Sequence, residues 1–108
     1  MVSEIEIKNA FAALRAARQA LYDGSEKELA AKTALKKREA ALLLSGAIIG
    51  KNAETRDAQL KEGCQMEIAT LEGAEAEKRL LQCRYDLASM MVDEIRWRIR
   101  NDIVEEAD

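Results

Sequence analysis

Ser45-Gly46-Ala47-Ile48-Ile49-Gly50-Lys51-Asn52 decides the fold of this chain, because it interrupts a seven-residue apolar repeat that runs on both sides of it. Gly46 can end a helix in the left-handed conformation that side chains with a Cβ avoid. Asn52 is a good N-cap, and Glu54 and Asp57 follow in the first turn, where the helix dipole favours carboxylates. The stretch therefore reads as one helix ending, a turn, and a second helix beginning.

Upstream, Ser3-Glu4-Ile5-Glu6 is a capping box: the Ser3 hydroxyl can accept from the Glu6 amide while the Glu6 carboxylate reaches back to Ser3. From there one heptad series runs Ile7, Leu14, Leu21, Glu28, Leu35, Leu42 and Ile49, with Ala10, Ala17, Gly24, Ala31, Arg38 and Ser45 three residues after the first six. Large residues alternating with small ones along a seam let a second helix approach closely. Asp23-Gly24 weakens the helix, yet the heptad phase is the same on both sides of it. One helix over residues 3–44 is expected. Downstream, Cys64, Leu71, Lys78, Tyr85, Val92 and Ile99 form a second series, with Leu60, Glu67, Ala74, Leu81, Ala88 and Ile95 as companions. This predicts a helix over residues 53–103 and a frayed acidic tail over 104–108.

A short loop between long helices lays them antiparallel. The fold class expected is all-α, a long antiparallel, coiled-coil-like helical hairpin, with residues 1–108 forming a single unit. A bend at Ile48–Gly50 pairs residues whose numbers sum to roughly 98. That sets Leu42 near Arg56, Leu14 near Arg84 and Ile7 near Met91, and leaves Arg96–Ile103 without a partner inside the chain. Composition agrees. Ala, Glu, Lys, Leu and Arg make up 62 of the 108 residues, and there is no proline. Residues 1–50 carry a net charge of +2 and residues 51–108 a net −5, opposite signs that help two helices choose their register.

Several functions are set aside by what is missing. The chain has no histidine, so imidazole catalysis and histidine-ligated metals are absent. The cluster Glu72, Glu75, Glu77 lacks the Glu-x-x-His partners of a di-iron site and reads as a solvated face. Gly50-Lys51-Asn52-Ala53 lacks the spacing of a phosphate loop. Cys64 and Cys83 are too far apart for a CxxC pair and read as packing thiols of a reducing cytosol. No apolar run reaches the ~20 residues of a membrane span, and MVSEIEIK has no signal-peptide pattern. The expectation is a cytoplasmic, non-enzymatic protein with no cofactor, no metal and no membrane partner.

Two surfaces remain. Arg96-Trp97-Arg98-Ile99-Arg100 interleaves basic and aromatic residues, as nucleic-acid binders do. Asp93, Glu94, Asp102, Glu105 and Glu106 surround Arg96, Arg98 and Arg100 and oppose a phosphate backbone. The other surface is apolar. One partner helix covers a stripe of roughly 100°, which Tyr85, Ala88, Val92, Ile95 and Ile99 occupy. Leu80, Leu87, Met90, Met91 and Trp97 fall outside it and would form an exposed patch, which soluble monomers rarely keep. The expected remedy is a homodimer, a four-helix arrangement in which a second copy covers that patch.

The segment Gly50-Lys51-Asn52-Ala53-Glu54-Thr55-Arg56 resembles the Gly-Lys-Asn-Ala-Glu-x-Arg turn of small phage and prophage helical-hairpin proteins of unknown function. The resemblance implies a phage accessory protein in the bacterial cytoplasm. From its position one turn into the second helix, Arg56 can reach back to the last carbonyls of the first. The long, helical Gam-like host-nuclease inhibitors are an analogy for such a role. Two functional readings follow: a protein–protein interaction or structural accessory protein, and a nucleic-acid-associated accessory factor or Gam-like inhibitor in a phage recombination module.

Overall fold

The computed structural model describes the backbone of residues 1–107 and the side chains of residues 1–102. The described chain forms three helices and no strand: α1 (Glu4–Leu44), α2 (Ala53–Gly63) and α3 (Gln65–Ala107). The fold is all-α, a helical hairpin whose return limb is divided. α1 runs unbroken through Asp23-Gly24. Two compact units share these helices, one made of Met1–Asp23 with Arg79–Asp108, the other of Gly24–Lys78.

In the unit Gly24–Lys78 the turn is built from the groups its sequence supplies. Gly46 has φ +77°, the left-handed conformation that stops α1. The Ser45 hydroxyl donates to the Leu42 carbonyl at 2.9 Å, one of the acceptors that a helix end leaves free. That is the role foreseen for Arg56, whose side chain makes no such bond among the described residues. Asn52 caps α2, its side-chain oxygen accepting from the Thr55 amide at 2.8 Å. Between them, the Gln59 side-chain oxygen accepts from both the Ile49 and Gly50 amides at 3.0 Å, tying the loop to the helix that follows it. Gly50 is needed for its size. A Cβ there would lie 2.9 Å from the backbone nitrogen of Arg56 and 2.9 Å from the Thr55 methyl. Gly50→Ala is therefore expected to cost about 1–3 kcal/mol, read as a lower unfolding midpoint in urea.

The return limb is not the single helix expected over residues 53–103. It breaks at Cys64, whose amide is shared between the Leu60 and Lys61 carbonyls and whose own carbonyl starts α3 by accepting from Ile68. Gly63 weakens the helix at that point, and its freed carbonyl accepts from Arg38 Nε of α1 at 3.3 Å. At its far end α3 is helical through Ala107, beyond the expected fraying point at 104, while Asp108 lies outside the described residues.

The register also differs from the one expected. Leu42 lies against Gly63, not Arg56: a Cβ on that glycine would meet a Leu42 methyl. The reason is the loop. Ile49 and Gly50 lie against Gln59, two turns into α2, so the chain doubles back along α2 before reversing, and α1 meets a later part of the return limb. The shift brings together Glu28 and Lys78, the charged members of the two main series. Lys78 lies 3.6 Å and Lys32 3.0 Å from the Glu28 carboxylate, and Lys27 lies 3.5 Å from Glu77. The hydrogen bond from Lys32, aided by the charges of Lys32 and Lys78, holds the Glu28 carboxyl below its ordinary pKa. A folded-state pKa below the unfolded value stabilises at neutral pH, and that contribution is lost as pH falls through the carboxylate range. The melting temperatures of the parent and Glu28→Gln are accordingly expected to differ at pH 7 and to converge as the pH falls through the carboxylate range.

In the other unit the core is Ala10, Val92 and Ile95, with Val2, Ile7, Phe11, Leu14 and Ile99 packed around it. The later register holds here too. Glu6 pairs with Arg98 at 3.4 Å, so its carboxylate completes that pair instead of the capping box, of which only the Ser3 half forms. Arg98 and Ile99 thus have partners on α1, so the segment expected to overshoot is paired within the chain on that side, while Trp97 and Arg100 stay exposed. Every position of the downstream heptad series and its companions is buried or half-buried.

Candidate functional site

Helix α3 shows two faces in the unit Met1–Asp23 with Arg79–Asp108. Val92 at 2% exposure, Ile95, Ala88 and Leu81 face inward. Leu80, Leu87, Met90, Met91 and Trp97 are left between 52% and 64% exposed. At about 100° per residue, Leu80, Leu87 and Met91 lie within ~40° of one another, and Met90 and Trp97 continue the same apolar side. The surface exists because α3 is apolar on more of its circumference than α1 covers. A shallow groove between α1 and α3, lined by Ala10, Ala13, Met91 and Ile95 and rimmed by Glu6 and Arg98, borders it. Ile5, 71% exposed, adds to the apolar surface on α1, whereas Phe11 turns into the core.

The three arginines do not converge. Arg98 pairs with Glu6. Arg96 lies over the Phe11 ring, 5.7 Å from its centre, and 3.9 Å from Asp93. Arg100 is exposed, on the side of the helix that Arg96 occupies and roughly opposite Arg98. A phosphate strand laid along α3 would meet Arg100 and carboxylates. Tight binding to single- or double-stranded DNA at moderate salt is therefore not expected, and a mobility-shift assay across salt concentrations checks it.

No described group combines a nucleophile, a base and an orienting partner. Burial pushes the Cys64 thiol up, the nearby Glu39 and Glu67 carboxylates add to this, and Arg38 opposes it, so Cys64 stays a packed thiol. Cys83 is exposed. Among the described residues no cluster of three or more His, Cys, Asp or Glu can hold a metal ion. None of their helices is long and apolar enough to cross a membrane.

Sequence reasoning missed three features. Gln59 reads as an ordinary helix residue, and only the folded loop shows what its side chain accepts. Glu28 and Lys78 were visible as the charged members of two apolar series and carried a signal for the register. Met66, 81% exposed, extends the apolar side of α3 towards its N-terminus. No family model, no curated protein and no solved structure matches the chain.

Proposed function

We propose that this protein is a non-enzymatic interaction module that self-associates through the outer face of α3 and acts as an accessory or structural component in the cytoplasm. The observation that carries this reading is the row Leu80, Leu87, Met90, Met91 and Trp97, five large apolar side chains each more than half exposed on one helix. Leaving such a patch in water costs ~25 cal/mol per Å² of apolar surface that a partner would otherwise cover. The hairpin offers that patch on a helix held from behind by its own core, the rigid presentation that helix-mediated recognition uses. Resemblance of the turn to small phage and prophage hairpins supports a phage accessory setting for the module. Light scattering tests the reading directly: the mass should be at least twice the 12.0 kDa of the chain. A monodisperse monomer at tens of micromolar would refute it. Nothing in the placement of Arg96, Arg98 and Arg100 favours the nucleic-acid reading.

A further inference from the structure

On the face turned away from α1, helix α3 carries a second heptad row. Gly73, Ala76, Leu80, Cys83, Leu87 and Met90 follow one another at alternating spacings of three and four, and Trp97 continues the row beyond Glu94. All of these positions are exposed in the chain. We propose that this row pairs with the same row of a second copy, antiparallel, about a two-fold axis at the level of Tyr85. The proposal rests on the self-association put forward above and specifies its geometry.

Charge selects the second copy and the direction. In an antiparallel pair each flank of the seam faces the same flank of the other helix. Arg79 then meets the partner's Asp93, and Glu72 meets the partner's Arg100, each pair occurring twice by symmetry. Arg84 and Asp86 each meet their own copy near the axis, two like-charge contacts against the four opposite ones. A parallel pair would instead set Arg79 against the partner's Arg84, Glu72 against the partner's Glu77, and Glu94 against its own copy, with Asp93 against the partner's Arg98 as its one kind of opposite pair. Size selects the same register. Leu80 packs on the partner's Met90 and Cys83 on the partner's Leu87. Glu94, the one charged residue in the row, faces the partner's Ala76, small enough to let the carboxylate reach water. Trp97 falls on the partner's Gly73. A Cβ on Gly73 would have nothing within 4 Å of it inside the chain. Nothing in the hairpin needs that glycine, whereas a tryptophan laid across it from outside does.

The test uses the full chain and two charge reversals, Arg79→Asp and Asp93→Arg. Each alone sets like charges together twice and should weaken self-association by about tenfold. Mixed together, the two variants regain every opposite pair in the heterodimer, so the mixture should associate as tightly as the parent. A third variant, Gly73→Leu, should leave the helix content at least as high as in the parent yet loosen the dimer, because leucine occupies the place of the partner's Trp97. If the parent is a dimer but the mixture gains nothing, or Gly73→Leu tightens association, the register is overturned and self-association stands. If Arg79→Asp alone strengthens association while Asp93→Arg weakens it, the helices run parallel. A monomeric parent overturns both proposals.

Discussion

Val92→Asp should unfold the unit built from Met1–Asp23 and Arg79–Asp108. Val92 is 2% exposed and sits between Ala10 and Ile95 at the centre of that unit's core. The substitution removes about 1.5–3 kcal/mol of apolar burial. It also places a carboxylate among apolar side chains, where its desolvation costs several kcal/mol more. A small domain is stable by only ~5–15 kcal/mol in total, so the combined loss takes much or all of it. The core here is thin: Ala10 contributes one methyl group, and the residues packed around the centre are only half-buried, so there is little reserve. Circular dichroism should show a large loss of helix at 25 °C or a collapse of the thermal midpoint. Val92→Ala, which only truncates, should cost about 1–2.5 kcal/mol and remain folded. A Val92→Asp protein melting within a few degrees of the parent would mean that α1 and α3 do not pack through this residue.

The second large effect is on mass. Met91→Glu together with Trp97→Glu should convert the oligomer to a 12.0 kDa monomer while leaving the helix signal unchanged. Both residues are more than half exposed and contribute nothing to the core cluster, so the hairpin does not need them. A dimer would bury both twice. At ~1.5–3 kcal/mol per large apolar side chain, four of them supply about 6–12 kcal/mol. A micromolar dimer has only ~8 kcal/mol of binding free energy, so losing these contacts removes most of it. Trp97 is the more important of the two, because large aromatic side chains dominate such interfaces. An unchanged mass for the double variant would place the association surface elsewhere, with Leu29, Tyr22 and Leu44 of α1 as the next exposed apolar residues. Loss of helix in the same variant would show that Met91 or Trp97 belongs to the hairpin's own packing.

The amino-acid sequence alone determined that the chain is a helical hairpin, where it turns, and which residues face inward. Heptad spacing repeats with the helix itself, so burial along each limb follows from local periodicity. The cap at Asn52 and the stop at Gly46 are local too, since each depends on residues a few positions away. That Arg96 and Arg100 share one face of the helix was legible too; the Arg98–Glu6 pair and the seat of Arg96 over Phe11 were not.

Register was another matter. Sliding one limb by a turn or two keeps nearly every apolar contact apolar, so the heptads barely resist the shift. What fixed it was specific and non-local. Gln59 holds the Ile49 and Gly50 amides, Arg38 holds the Gly63 carbonyl at the break, and Glu28 meets Lys78 in the seam. Each of these joins residues that no local pattern links. The surface was different: α3 carries two apolar rows, and the heptad series through Val92 and Ile99 already marked the one that faces α1. Packing against α1 took Val92 and Ile95 inward and left Met90 and Trp97 in water, because a helix can turn only one side to a single neighbour.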